Sequence, residues 1–230
     1  MAASAALLLL ADGRFPSGSY AHSGGVEEAV ADGRIRDLAT LEAFLVGRLW
    51  TVGRSDAAIT AAAWAEAGAA APRWRALDAE AAARCPSAVL RRASRSMGRS
   101  LVRGASTAWP GPWWAPLRAA TPDGPLAPVA LGAAARAAGT DREDAALAAA
   151  HGAVATPAAA AVRLLGLDPL AVAAVSAALA ADVDAVASGA VASGAACGEE
   201  RWDALPAATA PLTDVGAERH ARREVRLFAS

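Results

Sequence analysis

Serine, tyrosine and histidine side chains crowd into the glycine-rich run at residues 15–28, FPSGSYAHSGGVEE, and could act together chemically. A serine beside a histidine can form a nucleophile that is activated by a base. The hydrolase motif Gly-x-Ser-x-Gly is absent, because Ser23 stands in AHSGG and Ser19 in SGSYA. We therefore favour serine hydroxyls that cap a helix beginning near Gly24. A small helical serine hydrolase that uses Ser23 and His22 stays the alternative.

The sequence predicts neither a preformed metal site nor a nucleotide site. His22, His151 and His220 are the only histidines, and none has a second His or Cys at ligand spacing. A metal contact at an interface stays open. All 22 basic residues are arginine, so the lysine of a Walker A phosphate loop is missing, as is any Schiff-base lysine. We expect this chain alone to bind no cofactor.

Arginines recur every four residues from Arg91 to Arg103. On a helix this spacing predicts a solvated face, a surface for an acidic protein partner, or a nucleic-acid-binding stripe. The formal net charge of −1 argues against nucleic acid. Ser94 and Gly98 lie between these arginines and would let another element pack closely.

The elements that must position these residues are helices, since alanine, the commonest residue here, is the best helix former. We predict an all-α fold, a single compact bundle of roughly eight to ten helices at 1–205, followed by a mobile partner-binding tail at 206–230. Apolar spacing, caps and first-turn prolines place the helices. Their expected ranges are 26–32, 41–52 (capped by Asp37 or Thr40), 56–67, 73–83, 86–106, 129–138, 141–154, 157–165 and 169–186.

The proline- and tryptophan-rich stretch 109–128 is predicted to be a loop. Its tryptophans at 109, 113 and 114 either fold onto the core or form a hot spot for a partner. The leucines at 7–10 are too few to span a membrane and lack a basic region before them, so we expect a cytoplasmic protein. Cys85 and Cys197 are expected to be buried or reduced thiols rather than a disulfide framework.

The run at 15–28 also resembles the N-terminal signature of the UreF family of urease accessory proteins. The matching residues are Leu7–Leu10, Asp12, Pro16, Ser17, Gly18, Tyr20, His22, Ser23, Gly24, Val26 and Glu27, with Ser19 where the family usually has a second glycine. Further resemblances are Ser94, Met97, Gly98 and Leu101; Pro128–Gly132, without the histidine that usually precedes it; Ala160–Leu164, followed by a shortened turn; and Pro211–Asp214, His220 and Arg226–Ser230, with Ala221 in place of a glutamate.

This resemblance implies an all-helical, usually dimeric protein that is not itself an enzyme. It implies a scaffold that bridges a UreD/UreH-type protein and the GTPase UreG, so that the assembly delivers nickel to apo-urease. Nickel and GTP would be handled by the assembled complex, with no role for nucleic acid or a membrane. The residues that we predict to bind partners are Pro16, Ser17, Gly18, Tyr20, His22, Ser23, Gly24, Glu27, Arg95, Gly98, Arg163, His220, Arg226, Leu227 and Phe228.

Overall fold

The computed structural model describes residues 5–197 and 202–229, without the side chains of 194–197. All regular structure in these residues is helical, which confirms the all-α prediction. The α-helices are α1 (Ala5–Ala11), α2 (Val26–Ala31), α3 (Leu38–Arg48), α4 (Arg54–Glu66), α5 (Trp74–Ala83), α6 (Ala88–Ala108), α7 (Trp114–Ala120), α8 (Ala127–Ala137), α9 (Arg142–Leu165), α10 (Pro169–Ala178), α11 (Ala180–Cys197) and α12 (Pro211–His220). Two 3₁₀ turns (Ser19–Ala21 and Trp202–Ala204) and a π-helical segment (Leu49–Gly53) complete them.

The core is built around α4, which packs on α8, α9 and α11, while α6 packs on the outer side of α8. Many of the facing residues are buried alanines, which bury little area each but let helix axes approach closely. Large side chains fill the remaining space, and Trp74 and Trp114 are almost fully buried. Trp109 stacks on Phe15 with ring centroids 5.8 Å apart. Trp109 and Trp114 of the 109–128 stretch therefore fold onto the core.

Helix α6 and the segment before α8 cross at very short range. A Cβ on Gly98 would lie 1.9 Å from the carbonyl oxygen of Pro125, so only glycine fits there. Beside it, the hydroxyl of Ser94 accepts a hydrogen bond from the backbone N–H of Ala127 at 2.9 Å. The close packing that these small residues permit is thus used inside the chain.

The arginine stripe on α6 is only partly solvated. Arg95 donates to Asp78 at 2.9 Å and to the carbonyl oxygen of Gly124 at 2.5 Å. Arg99 donates to the carbonyl oxygen of Asp123 at 2.6 Å. The arginine face of α6 is therefore not fully solvated, because Arg95 and Arg99 connect the loop before α8 to α5 and α6.

Two predicted helix boundaries were wrong for reasons of packing. The stretch 109–128 contains α7, in which Pro116 lies in the first turn, where its missing N–H has no partner to lose. Pro157 lies inside the continuous helix α9, where we expected it to begin a new helix. It removes one backbone hydrogen bond, yet buried residues on both sides, including Val154 and Ala161, hold the two halves in one core.

Two other boundaries moved as well. The predicted helices at 41–52 and 56–67 join through the π-helical segment Leu49–Gly53. The single helix expected at 169–186 breaks at Leu179, and the two parts are bent by 45°. Asp168 caps α10 at the predicted start of this helix, accepting from the N–H of Leu170 at 3.0 Å.

Helix α9 is long and apolar enough, by length and composition, to cross a membrane, and so is the bent pair α10–α11 taken together. However, 56% of the apolar window of α9 is buried within the fold. A central core helix passes the same test of length and composition.

Candidate functional site: the docked C-terminal tail

The loop at 15–25 and the first turn of α2 form the base of the site. Ser23 is fully buried, and its hydroxyl accepts hydrogen bonds from the N–H groups of Gly25 and Glu27, both at 3.3 Å. Gly24 and Gly25 have φ angles of 63° and 92°, which favour glycine. This geometry supports the helix-capping interpretation of the serine.

Glu27 anchors the end of the chain to α2. One carboxylate oxygen accepts from the backbone N–H of Leu227 at 2.7 Å. The other accepts from the N–H of Phe228 at 3.1 Å and lies 2.7 Å from Nε2 of His220. His220 is almost fully buried, so its ring holds α12 against α2 at this point. Three groups far along the chain thus converge on one carboxylate.

Burial by itself would raise the pKa of Glu27. The hydrogen bonds from Leu227, His220 and Phe228 outweigh burial and hold that pKa below its ordinary value of 4.5. The carboxylate is therefore ionised at neutral pH, which is the form that accepts all three bonds.

The remainder of α2 binds arginines of the tail. Arg223 donates to the buried carboxylate of Glu28 at 2.6 Å. Arg219 lies 3.4 Å from the other oxygen of Glu28 and 2.5 Å from Asp32. A charged carboxylate that is buried like Glu28 needs such partners, since an unpaired one is costly.

Phe228 fills a groove beside the 15–25 loop and is only 7% exposed. The guanidinium of Arg163 lies between two aromatic rings, 4.3 Å from the centroid of Tyr20 and 4.4 Å from that of Phe228. The N–H of Ala229 donates to the carbonyl oxygen of Ala21 at 2.8 Å. Cation–π contacts of this kind favour arginine over other cations.

These contacts differ from the mobile tail that we expected for the chain alone. Residues 211–229 are seated on α2 and the 15–25 loop, because Glu27, Glu28 and Asp32 give the tail arginines and backbone N–H groups partners within the same chain. We call residues 211–229 together with Tyr20 the tail surface. The proposed division of the chain at residue 206 stays a prediction.

The tail surface exposes large apolar side chains together with charged ones of both signs. Large apolar side chains stand out into solvent there, with Val225 83% and Leu227 74% exposed. The others are Tyr20, Leu212 and Val215. Arg222, Glu224 and Arg226 are exposed in the same segment. Exposed apolar groups clustered with arginine are typical of protein interfaces.

The structure brings together most of the predicted site residues but not all of them. Tyr20, Ser23, Glu27, Arg163, His220, Leu227 and Phe228 meet in or directly beneath the tail surface. Arg226 is exposed on it. Pro16 packs on α6 at Gly104, and Gly18 faces Ser100. His22 and Gly24 line a partly open cavity. Arg95 and Gly98 lie within the α5–α6–α8 packing.

Sequence reasoning missed Glu28, Asp32 and Arg219. Their signal was present as an acidic α2 and an arginine-rich end of the chain, but opposite charges so far apart in sequence can pair in many ways. Arg223 of this arginine-rich end pairs with Glu28 of the same chain in the structure.

The cavity has a volume of about 550 Å³ and lies between α3, α4, α6, α8 and α9. Asp56 on its wall has a pKa raised by burial to about 6, an effect that Arg48 opposes. Burial also raises the pKa of the free thiol of Cys85 to about 11. The thiol state of Cys197 lies outside the described side chains. Among the described residues no group of three or more His, Cys, Asp or Glu side chains could hold a metal ion.

Comparison with known proteins gives consistent matches along the chain. A family model described as UreF matches residues 35–180. The urease accessory protein UreF of Mycolicibacterium vanbaalenii is 43% identical over 230 residues, which is 100% of both chains. That of Mycobacterium sp. (strain JLS) is 44% identical over 224 residues, 97% of each chain, and that of Mycobacterium tuberculosis (strain H37Rv) is 39% identical over 230 residues, 100% of each.

Proposed function

Because this chain belongs to the UreF family of urease accessory proteins, we propose that it is a non-enzymatic scaffold of urease maturation. In this proposal it acts in the cytoplasm as a homodimer, which bridges a UreD/UreH-type protein and a UreG-type GTPase. The assembly inserts nickel, its cargo, into apo-urease. The absence of lysine from the sequence supports placing the nucleotide on the partner, since no Walker A loop can form here.

The observation that carries the proposal is the tail surface. It combines exposed apolar side chains with exposed arginines, and it is fixed to the core by the contacts of Glu27 and Phe228. A surface that is already ordered loses less conformational entropy on binding than a mobile tail, for which ordering costs about 1–2 kcal/mol per residue. We assign this surface to the UreD/UreH-type partner, and the 15–25 loop with α2 to its edge or to the dimer contact.

The test is co-expression of this chain with a UreD-type protein, a UreG-type protein and apo-urease. Size-exclusion chromatography with light scattering would report which chains stay together and whether this chain is present twice. We expect a stoichiometric complex that loses the UreD-type protein when residues 210–230 are deleted. Retention of the UreD-type protein by the deleted chain would place the interface elsewhere.

A point variant separates the surface from the fold. Leu227→Glu puts a charge on the exposed side of the tail, whereas Leu170→Glu makes the same change at a similarly exposed leucine of α10. Helix α10 packs on α3, α9 and α11, while α12 packs on α2 and α6. We expect Leu227→Glu to release the UreD-type protein and Leu170→Glu to retain it. Equal behaviour of the two variants would contradict the assignment.

A further inference from the structure

Arg48 lines the cavity as a partly exposed cation. Its Nε atom is buried and has no hydrogen-bond partner. The backbone of the loop approaches closely, since a Cβ on Gly24 would lie 3.4 Å from the guanidinium carbon. No ion pair joins Arg48 to Asp56 within 4.0 Å. A buried guanidinium nitrogen without a partner is costly, and an anion that accepts its hydrogen bond would remove that cost.

The π-helical segment directs Arg48 and Asp56 to the same cavity. Two residues eight positions apart on an α-helix are rotated by about 80° from one another. A π turn inserts one residue, which reduces that offset to roughly 20°. Both side chains accordingly line the cavity wall. Segments of this kind are frequent at functional sites.

The other cations of the cavity wall are engaged by the protein. Arg84 is paired with Glu80 at 2.6 Å and donates to several carbonyl oxygens. Arg163 is held between two rings. Burial lowers the pKa of His22 and of His151, so both imidazoles are neutral at pH 7. Arg48 is thus the cation of this wall best placed to meet an anion.

Most of the remaining wall is apolar. Its larger apolar side chains include Leu10, Val52, Ile59, Leu101, Leu126 and Leu131. The volume of about 550 Å³ lies within the range of small-molecule sites, which combine apolar walls with a few polar groups that fix orientation. A ligand that fits would carry one negative head group and an apolar body.

We propose that this cavity binds an amphipathic monocarboxylate. Its carboxylate accepts hydrogen bonds from the Arg48 guanidinium, and its body of several carbon atoms lies along the apolar wall. Asp56, close by on the same wall, repels the bound carboxylate when it is itself ionised.

The first experiment titrates the purified full chain with sodium butyrate, hexanoate and octanoate by calorimetry, with 1-octanol as the matched uncharged probe. Burial of each additional CH₂ predicts about fourfold tighter binding per carbon. Octanoate should bind at least about tenfold more tightly than octanol, because a charged hydrogen bond is added. Equal binding of octanol, or no saturable binding of octanoate by about 1 mM, overturns the proposal without recourse to a variant.

Three substitutions then locate the site. Arg48→Met should weaken octanoate binding at least about tenfold and leave octanol binding unchanged. Arg54→Met removes the same charge from an exposed position of α4 and should change neither. Asp56→Asn should tighten octanoate binding, since a nearby negative charge is lost. If circular dichroism shows Arg48→Met to be folded and it binds octanoate as tightly as the native chain does, then octanoate binds elsewhere and the proposed site is refuted.

Discussion

Replacement of Glu27 by glutamine should release the end of the tail while the core stays folded. The carboxylate accepts from two backbone N–H groups and lies 2.7 Å from the ring of His220. Glutamine keeps the shape but offers one acceptor oxygen and no charge. Hydrogen bonds to charged groups contribute about 1.5–3 kcal/mol each, so we expect docking to weaken by about 2–4 kcal/mol.

Amide hydrogen exchange at Leu227 and Phe228 measures this loss directly, because their N–H groups are protected by Glu27. A loss of 2–4 kcal/mol predicts about 30- to 1,000-fold faster exchange at these two amides. The control is Glu224→Gln, which neutralises an exposed glutamate of the same tail. Unchanged exchange in Glu27→Gln, or the same change in both variants, would refute the role of this carboxylate.

The same carboxylate predicts how tail docking depends on pH. The pKa of Glu27 is lower in the docked tail than its ordinary value of 4.5. Its contribution is therefore complete above about pH 4.5 and is lost as the pH falls through the lowered value. The protection factor of the Leu227 amide, which is its intrinsic exchange rate divided by its observed rate, should fall in that acidic range for the native chain. In Glu27→Gln this loss of protection should be absent.

Three further predictions concern the core. Burial raises the pKa of Asp56 from 3.8 to about 6, so this group lowers the free energy of unfolding by about 3 kcal/mol as the pH rises from 3.8 to about 6. In Asp56→Asn the free energy of unfolding, measured by urea denaturation, should lose this dependence on pH. Gly98→Ala should destabilise by about 1–3 kcal/mol because its Cβ meets a backbone carbonyl, whereas Gly152→Ala, with open space around it, should be neutral or stabilising by thermal melting. Arg95→Met should cost about 1.5–3 kcal/mol, because Asp78 loses a charged hydrogen bond and keeps only the N–H of Leu126. The exposed Arg103→Met should cost under about 0.5 kcal/mol, and equal costs would contradict the pairing.

Local signals predicted much of the fold. Asp37 and Thr40 form a reciprocal capping box at the start of α3, and Asp168 followed by a proline begins α10. Such caps depend on residues within one turn of each other, so they can be identified in the sequence alone. The predicted helix break before Pro157 was wrong, because the burial of both halves of α9 overrides the local propensity of proline to end a helix.

The candidate site could be predicted only in part. The motif-rich run at 15–28 and the end of the chain were identified as important, and the structure places them against each other. That Glu27 binds Leu227 and Phe228, 200 and 201 residues away, is not encoded in any local pattern. Equally, the arginines of α6 were spaced as a surface stripe, yet Arg95 belongs to the packing around the loop before α8.

The sequence by itself determined the helical class, most helix starts, the lack of a phosphate loop and the family resemblance, because these depend on residue types and on spacings within a few turns. The tertiary structure alone decided which charges pair, which glycines another segment packs against at short range, and that Arg48 and Asp56 line the same cavity. The physical reason is that burial and pairing arise between distant segments, and only the folded chain sets their distances.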